Sequence, residues 1–424
     1  MNIEDIYKIY QKFPSVQTDS RSLQKDDIFF ALKGPNFNGN DFAKKALKLG
    51  ATYVVADEPL DFEDGRIIKV KDVLNTLQQL AKYHREQFNI PFIAITGSNG
   101  KTTTKELLHE VLSTTFKTYT TKGNLNNHIG IPLTILKIKP DAEMAVIEMG
   151  ANHLNEISGY CEYAQPTHGL ITNVGKAHLE GFGGVANVKK GKGELFDYLK
   201  NHGRIAFVNT DDEAVFDLGM QLKNKILYGS KSENIKGAIL KNDPFIEVNV
   251  EGENSVNIQT NLVGTYNLPN VLAAVCVGEY FKIDDVKIKM AIETYAPSNS
   301  RSQLIQKDSN TIILDAYNAN PGSMKAAIEN FANMKSDKKV LLLGSMMELG
   351  NESEKEHAAI VSLIDQHKWY AVVLVGQNFK EIKQNYINCE NSLLARDWLK
   401  KENLKDAYIL IKGSRSMKME MVLQ

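Results

Sequence analysis

Short runs of apolar residues alternate along the chain with stretches in which apolar residues recur at helical spacing. The runs predict buried strands, and the stretches between them predict helices. Strands that alternate with helices favour an α/β fold with parallel sheets, whose ligands gather beyond the carboxyl ends of the strands. The predicted strands are Asp27–Leu32, Thr52–Ala56, Arg66–Val70, Pro91–Ile95, Ala142–Gly150, Gly169–Gly175, Thr311–Asp315, Val340–Gly344, Ala371–Val375 and Tyr408–Lys412. The predicted helices are Asp41–Leu49, Asp72–Phe88, one that begins at Lys101, Pro269–Tyr280, Ser323–Asn333, Ser353–Gln366 and Glu390–Lys400.

Three successive domains are predicted, because this pattern restarts along the chain and one core rarely extends beyond about 250–300 residues. Residues 1–88 are predicted to form a small α/β domain, residues 89–297 a central domain with a parallel sheet, and residues 298–424 a doubly wound, Rossmann-like domain. Alternating apolar and polar residues at Phe245–Val250 and Val256–Val263 predict an antiparallel edge on the central domain.

The clearest chemical motif lies in the stretch IAITGSNGKTTTKE, between a predicted strand and a predicted helix. Gly97 and Gly100 let the backbone approach a polyphosphate, Lys101 supplies a mobile positive charge, and the hydroxyl of Thr102 is a candidate Mg²⁺ ligand. The loop is a short variant of the pattern G-x-x-x-x-G-K-[ST], since residue 95 is an isoleucine. We predict that it binds the phosphates of a nucleotide; a plain helix cap is the alternative.

Further candidate groups follow two predicted strands of the central domain. Glu148 ends one strand, and His178 comes shortly after another. A cluster of lysines, Lys189, Lys190 and Lys192, lies beyond them. Mg²⁺ prefers oxygen ligands, so a carboxylate, a threonine hydroxyl and phosphate oxygens make a credible set. Taken one by one, each of these groups could instead be a solvated strand end, a structural histidine or a solvated helix face.

Two polar loops are candidates for binding a polar substrate. Asn126 and Asn127 belong to the amide-rich stretch TKGNLNN, and Ser20 and Arg21 precede the first predicted strand. Ordinary turn chemistry is the alternative for the first loop, and a solvated loop is the alternative for the second.

The composition narrows the class of protein. Apolar residues at 43% and charged residues at 24% are ordinary for a folded protein, and the net charge of −1 gives no support for a nucleic-acid partner. The widely spaced Cys161, Cys276 and Cys389 form no metal motif and fit a reducing compartment. No leader-like segment and no apolar run of about 18 residues is present, so we expect a cytoplasmic protein without membrane insertion.

Taken together, the ordered motifs make the sequence similar to the Mur ligases over nearly its whole length. They are TDSR, DIFFALKG, TGSNGKTTTKE, TKGNLNNHIGIPLTIL, IEMGANHLNEI, ITNVGKAHLEGFG, KGKGELF, GTYNLPNVLAA, LDAYNANPGSM, LLLGSMMELG and IKGSRSMKMEMV. The resemblance implies a monomeric ligase that joins D-alanyl-D-alanine to UDP-N-acetylmuramoyl-tripeptide through an acyl phosphate. The first domain would hold the UDP-sugar, the central one ATP, and the last would close with the dipeptide.

The resemblance also assigns roles to individual residues. Lys101, His178 and Lys192 would be catalytic, and Lys192 would be carbamylated, with Lys189 and Lys190 as competitors for that modification. Thr102, Glu148, His178 and Lys192 would hold a pair of Mg²⁺ ions. The residues implied to contact ATP are Gly97, Asn99, Gly100, Lys101, Thr102, Thr103, Asn267, Asn270, Arg301 and Asp315. Those implied to contact the other substrates are Ser20, Arg21, Asn126, Asn127, Asn318, Asn320, Lys412 and Arg415.

Three positions depart from the family pattern. His128 stands where an acid is expected, Tyr266 where a histidine is common, and Asp26 where glycine is usual. None of them removes a group from the proposed chemistry. Folylpolyglutamate synthase, a sister ligase, is one alternative, although TDSR, LDAYNANP and MMELG argue against it. A nucleotide switch that hydrolyses ATP only to change shape is the other, and it would leave Glu148, His178 and Lys192 without a role.

Overall fold

A computed structural model describes residues 1–424 of the protein. The chain divides into two compact units, whose segments alternate along the sequence. The first unit contains Met1–Ile95, Phe116–Ala151 and Asn155–Gly169. The second contains Thr96–Thr115, Asn152–Leu154 and Leu170–Gln424.

Helices and strands alternate along much of the chain. The elements up to residue 88 are α1 (Ile3–Lys12), β1 (Val16–Gln17), β2 (Ile28–Phe30), β3 (Lys33–Gly34), β4 (Phe37–Asn38), α2 (Ala43–Lys48), β5 (Tyr53–Ala56), β6 (Ile67–Lys69) and α3 (Val73–Arg85). The next elements are β7 (Phe92–Thr96), α4 (Lys101–Ser113), β8 (Thr118–Thr120), α5 (Gly130–Ile135), β9 (Met144–Glu148), α6 (Glu156–Ala164), β10 (His168–Ile171), α7 (Leu179–Phe182) and α8 (Val185–Asn201).

The remaining elements complete the central part of the chain (residues 89–297) and form its C-terminal part (residues 298–424). They are β11 (Ile205–Asn209), α9 (Glu213–Gly219), β12 (Lys225–Gly229), β13 (Ile235–Asn242), β14 (Phe245–Glu251), β15 (Ser255–Val263), α10 (Leu268–Tyr280) and α11 (Asp285–Thr294). Then come β16 (Gln303–Lys307), β17 (Asn310–Asp315), α12 (Pro321–Asn333), β18 (Lys339–Gly344), α13 (Ser353–Ile364), β19 (Ala371–Val375), α14 (Gln377–Lys380), β20 (Ile387–Cys389), α15 (Ser392–Glu402) and β21 (Tyr408–Lys412).

The first unit is built on parallel strands. Its N-terminal sheet has the order β1-β2-β5-β6, and every neighbouring pair in it is parallel. Farther along the chain, β9 pairs in parallel with both β7 and β8. All five residues of β7 and of β9 are buried, as expected for parallel strands covered on both faces.

The second unit combines parallel and antiparallel strands. Strands β10 to β15 follow the order β15-β14-β13-β12-β11-β10, and β14 pairs antiparallel with both β13 and β15. The C-terminal sheet has the order β16-β17-β21-β18-β19-β20, and only β16 pairs antiparallel within it. Its apolar side chains, Val340 and Leu342 of β18 among them, pack with those of α15 in one buried cluster.

The predicted α/β class and the antiparallel edge of the central part are confirmed, while some element bounds differ. The last predicted helix, Glu390–Lys400, instead runs from Ser392 to Glu402, because the side chain of Asn391 accepts the amides of Leu393 and Leu394 and caps the helix there. Strand β16 was not predicted, since its sequence, QLIQK, is short and polar at both ends.

A buried histidine joins three segments of the first unit. His84, on α3, is 5% exposed. Its Nδ1 lies 3.1 Å from the hydroxyl of Tyr7 on α1, and its Nε2 lies 2.8 Å from the carbonyl oxygen of Ile138. A neutral ring satisfies both contacts, by accepting from the tyrosine and donating to the carbonyl. Burial lowers the pKa of His84, and the hydrogen bond to Ile138 opposes that shift only in part.

This histidine predicts a loss of stability in mild acid. Because the pKa of His84 is lower in the folded protein than the roughly 6.5 of an unfolded chain, the unfolded state binds the proton first as the pH falls. The contribution of neutral His84 to the free energy of unfolding is complete above about pH 6.5. It is lost as the pH falls towards the folded pKa, by at most about 1.4 kcal/mol per pH unit. Denaturant unfolding at pH 7.5 and 5.5 should show that the free energy of unfolding falls less between these pH values for His84→Gln than for the wild type. The exposed His202→Gln serves as the control, and an equal loss in wild type and His84→Gln would contradict the prediction.

Candidate active site

The turn between β7 and α4 has a backbone that only glycine fits at two positions. Gly97 has φ +144° and Gly100 has φ +78°. A Cβ atom at Gly97 would lie 2.0 Å from Oγ1 of Thr172, and one at Gly100 would lie 2.6 Å from Oδ1 of Asn270. The loop therefore follows the close path that the sequence predicts for a phosphate cradle.

The loop ends in an open helix start. Helix α4 begins at Lys101, and no side chain caps its N-terminus. The first amides of a helix lack intrahelical partners and favour an anion. The ammonium of Lys101 donates to the carbonyl oxygens of Gly97, at 2.7 Å, and Ser98, at 3.4 Å. These donors make the turn suitable for a polyphosphate, and Thr102 beside them is almost fully buried.

A frame of polar side chains after β10 supports the loop, and sequence analysis missed it. Oδ1 of Asn173 accepts the amide of Asn99 at 2.9 Å, and its Nδ2 donates to the carbonyl of Asn99 at 3.1 Å. The hydroxyl of Thr172 donates to the same carbonyl at 2.6 Å. Both residues lie in the quoted motif ITNVG at a strand end, which is the signal that could have identified them.

The two asparagines expected near adenine are buried behind the loop. Asn270 accepts the hydroxyl of Thr104, on α4, at 3.0 Å, and donates to Oδ1 of Asn267 at 2.8 Å. Asn267 donates to the carbonyl of Val263 at 2.9 Å. These amides link α10 to the helix that follows the phosphate loop, and their contact with adenine stays a prediction.

The predicted nucleotide residues of the C-terminal part form one charged cluster. Oδ2 of Asp315 lies 2.5 Å from the ammonium of Lys412, which is 2% exposed, and Oδ1 accepts the amide of Ser302. The guanidinium of Arg301 lies over the ring of Tyr317, 3.6 Å from its centroid, and its Nε is buried without a hydrogen-bond partner. An acceptor atom of a ligand would satisfy that Nε.

Other side chains join the same cluster. The guanidinium of Arg415 lies 5.8 Å from the ring centroid of Tyr317. Tyr266, the departure from the family's histidine, shares a hydrogen bond with Ser302 at 2.9 Å. Burial raises the pKa of Tyr266, and the nearby Asp315 carboxylate adds to the effect, so its hydroxyl stays neutral.

Asn320 connects the C-terminal part to the phosphate loop. Its Nδ2 donates to Oδ1 of Asn99 at 2.7 Å. Its Oδ1 accepts the amide of Ser323 and caps α12 in a capping box. Both ends of this amide are therefore engaged, whereas Oδ1 of the neighbouring Asn318 accepts only the amide of Ala319 among its side-chain contacts.

Two basic residues before α7 meet carboxylates of the C-terminal part. Nδ1 of His178 lies 2.5 Å from Oε2 of Glu348, although the two are not aligned as a hydrogen bond. This contact holds the pKa of the Glu348 carboxyl below its usual range. The ammonium of Lys176 lies 2.5 Å from Oε1 of Glu356, which is 4% exposed.

The three clustered lysines have different surroundings. Lys192 is completely buried within α8, with its ammonium 5.2 Å from the ring centroid of Phe182. Lys189 pairs with Asp217 at 3.0 Å on the partly exposed side of the helix, and Lys190 is exposed. Lys192 is the one of the three whose environment would protect a modified side chain from water.

The predicted site residues of the first unit have the following contacts. Oε1 of Glu148, at the end of β9, accepts the amide of Asn126 at 2.8 Å. Oδ1 of Asn127 accepts the amides of Ile129 and Gly130, which is the turn chemistry given as its alternative. Arg21 is exposed beside the half-buried Ser20, and its hydrogen bonds lower the pKa of Asp19 to about 2.

The first unit also has a cavity of about 550 Å³ between α3 and α6. His128, the residue that replaces the family's acid, lines it together with Lys82, Glu156 and Tyr160. Gln78 donates to the backbone carbonyl of His128 at 3.1 Å. The departure at His128 thus changes the wall of a cavity that the sequence did not predict.

Models of known families match three successive parts of the chain. Residues 12–85 match "Mur ligase family, catalytic domain", residues 95–278 match "Mur ligase middle domain", and residues 300–415 match "Mur ligase, glutamate ligase domain". The UDP-N-acetylmuramoyl-tripeptide–D-alanyl-D-alanine ligase of Bacillus subtilis is 33% identical over 96% of this chain and 92% of its own length. The chain belongs to the Mur ligase family.

Other relatives agree with this assignment. The ligase of the same name from Escherichia coli is 34% identical to this Mur ligase over 97% of the chain and 93% of its own length. A crystal structure of MurF from Acinetobacter baumannii has a TM-score of 0.89 at 28% identity, covering 98% of this chain and 97% of the other. MurF from Thermotoga maritima, in complex with ADP, has a TM-score of 0.86 at 26% identity, covering 96% of both chains.

The comparisons also bear on the alternatives. This Mur ligase is an ATP-dependent, ADP-forming ligase, as the members of its family are. Folylpolyglutamate synthase from Mycobacterium tuberculosis has a TM-score of 0.63 at 14% identity and covers 81% of the chain, so that likeness concerns the fold alone. No helix meets the length and hydropathy needed to cross a membrane.

The predicted metal ligands are partly consistent with Mg²⁺. No group of three or more His, Cys, Asp and Glu side chains is arranged to hold a metal ion. The predicted set needs no such group, because it draws on a hydroxyl, one carboxylate, a histidine and a modified lysine. The oxygen donors of Thr102 and Glu148 have the chemistry that Mg²⁺ prefers, whereas unmodified Lys192 has no oxygen to offer.

Proposed function

We propose that this Mur ligase joins D-alanyl-D-alanine to UDP-N-acetylmuramoyl-tripeptide and couples amide formation to the cleavage of ATP into ADP and phosphate. The observation that carries the proposal is the similarity, over almost the full length of both chains, to ligases of that name at 33% and 34% identity. The ADP complex of the similar Thermotoga maritima protein supports ATP as the nucleotide. The product is the UDP-linked pentapeptide precursor of peptidoglycan.

The reaction begins at the terminal carboxylate of the tripeptide. One of its oxygens attacks the γ-phosphorus, the bond to the β-phosphate oxygen breaks, and ADP leaves. The amine of D-alanyl-D-alanine then attacks the acyl carbon, phosphate leaves, and one proton is released as the amide forms. Carboxylate and phosphate repel each other, so the site must neutralise charge as it brings them together.

This chain's residues supply that neutralisation at the phosphate loop. The uncapped start of α4 offers amides, and Lys101 can exchange the loop carbonyls for phosphate oxygens. The buried Nε of Arg301 offers another donor on the C-terminal side. Mg²⁺, when bound, would withdraw charge from the phosphates, with Thr102, Glu148, His178 and carbamylated Lys192 as its proposed ligands.

The proposal includes the finer assignments that follow from the family. Residues 1–88 bind the UDP-sugar, 89–297 bind ATP, and 298–424 bring the dipeptide. The enzyme works as a monomer in the cytoplasm, the compartment that supplies ATP. Its three cysteines are free thiols, which fits that compartment. Asn318 and Arg415 are the proposed dipeptide contacts with the fewest engaged side-chain atoms, whereas Asn320 and Lys412 act through Asn99 and Asp315.

Phosphate release tests the function directly. Enzyme, ATP and Mg²⁺ are incubated with UDP-N-acetylmuramoyl-tripeptide and D-alanyl-D-alanine together, and then with each omitted in turn. We expect release only with both, together with a mass that corresponds to the UDP-pentapeptide. Tripeptides ending in diaminopimelate or lysine, compared side by side, identify the accepted third residue. Equal release without either substrate would support the ATPase switch and refute the ligase.

A further inference from the structure

The carboxylate of Glu348 is the group that faces Nδ1 of His178. The two atoms are 2.5 Å apart, and no hydrogen-bond partner satisfies Nδ1. The sequence predicts a functional role for His178, whereas Glu348 is a residue of the motif LLLGSMMELG to which the sequence assigns no role of its own. The contact joins the segment before α7 to the segment before α13, which are 170 positions apart in the numbering.

Both residues hold an unusual backbone conformation. The φ angle of His178 is +52°, and that of Glu348 is +62°. Residues with a Cβ atom seldom adopt this left-handed region, and such strain is concentrated at functional sites. The amide of Glu180 also donates to the carbonyl of Glu348 at 3.2 Å, which fixes one backbone against the other.

Helix α13 fixes the position of the segment that carries Glu348. The buried His357, on α13, accepts the amide of Met346 at 3.0 Å, and its Nδ1 lies 2.7 Å from the carbonyl oxygen of Ser353. Glu356 adds the ion pair to Lys176, two positions before His178. Two carboxylates of the C-terminal part therefore hold two basic side chains of one short segment.

We propose that Glu348 is a positioning residue for His178. Its carboxylate lies against Nδ1 and so fixes the plane and tautomer of the imidazole. The other ring nitrogen, Nε2, is then directed towards the reaction site. Carboxylates commonly hold the second ring nitrogen of a functional histidine in this way. The role of His178 in this inference rests on the proposed function. The consequence is that His178 is fully oriented only when the C-terminal part supplies its carboxylate.

A purely stabilising role does not fit the exposure of the pair. The side chain of Glu348 is 51% exposed, and ion pairs of such exposure contribute little to folding stability. Loss of Glu348 should therefore change catalysis and leave the thermal midpoint within about 2 °C of the wild type. This difference separates positioning from folding.

The test compares Glu348→Ala, Glu348→Gln, His178→Ala and the double variant Glu348→Ala/His178→Ala. Glu354→Gln, which changes an exposed carboxylate on the nearby helix α13, is the matched control. We expect Glu348→Ala to lower kcat by about 10- to 100-fold with KM for ATP nearly unchanged. Glu348→Gln should recover part of the activity, because its amide oxygen can occupy the same position beside Nδ1. The double variant should be no slower than His178→Ala, since the two residues act as one unit.

A second readout does not need the peptide substrates. Mn²⁺ is titrated into wild type and variants in the presence of ADP, and free Mn²⁺ is followed by electron paramagnetic resonance. We expect Glu348→Ala to weaken Mn²⁺ binding by about 10-fold or more and Glu348→Gln to weaken it less. Wild-type activity in Glu348→Ala, unchanged Mn²⁺ binding, or independent losses in the double variant would each overturn the proposal. If wild type binds Mn²⁺ but releases no phosphate with both substrates, the proposed function fails and the Mn²⁺ comparison still decides the role of Glu348.

Discussion

Lys101→Ala should lower substrate-dependent phosphate release by about a hundred- to a thousand-fold. The ammonium of Lys101 lies at the centre of the glycine turn, 2.7 Å from the carbonyl oxygen of Gly97, and it is the mobile charge of the phosphate loop. Without it, the negative charge that shifts between the carboxylate and the γ-phosphate has one cation fewer to stabilise it. The loss should fall mainly on kcat, since the amides of α4 still contribute to ATP binding.

Folding should be almost unaffected in this variant. Lys101 is only partly buried, and its ammonium donates to carbonyl oxygens of its own loop. Lys117→Ala, which removes an exposed lysine paired with Asp141, is the control and should keep full activity. The measurements are steady-state phosphate release and thermal unfolding. Activity of Lys101→Ala within a few fold of the wild type would be incompatible with the proposed phosphate loop.

Lys192→Ala should reduce turnover by about a hundred-fold or more, and acetate or formate should restore part of it. Carbon dioxide adds to an uncharged amine, and burial disfavours the charged form of a lysine. The resulting carbamate is an anion of carboxylate shape, so a small carboxylate can occupy the space that the truncated side chain leaves. Lys192 is completely buried, and for this reason we propose it, and not Lys189 or Lys190, as the carbamylated lysine.

The neighbouring lysines provide the controls for this prediction. Lys189→Ala removes a surface partner of Asp217, and Lys190→Ala removes an exposed side chain, so both should remain active. A carbamate carbon signal from ¹³C-bicarbonate, followed by NMR, should be present in the wild type and in both controls and absent in Lys192→Ala. Retention of the signal in Lys192→Ala, or its loss in Lys189→Ala, would assign the modification to another lysine.

The sequence predicts best those features that depend on local spacing. The phosphate loop has its strand, its glycines and its helix within about 14 neighbouring positions, and the parallel strands stand out as apolar runs. Contacts between distant segments are different. Nothing near Asn99 indicates that the amide of Asn320 will bind it, because the two meet only through the packing of α12 against the loop.

The pair of His178 and Glu348 shows the same limit more sharply. Both residues have left-handed backbone angles, and neither is a glycine, the residue type that would indicate such a conformation in the sequence. Thr172 and Asn173 were visible at a strand end, yet only the folded chain shows that both bind the backbone of Asn99. Sequence thus indicates which residues have functional chemistry, whereas folding decides which of them support the others.

The crowded glycines of the phosphate loop have a consequence for antibacterial resistance. At Gly97 and Gly100 a side chain would collide with Thr172 or Asn270, and the positive φ angles would strain any substitution there as well. A compound that bound the backbone at these two glycines would therefore leave the bacterium few single-step escape mutations there. Compounds that relied on exposed side chains such as Lys190 would meet no such barrier, because that side chain is not packed against the core.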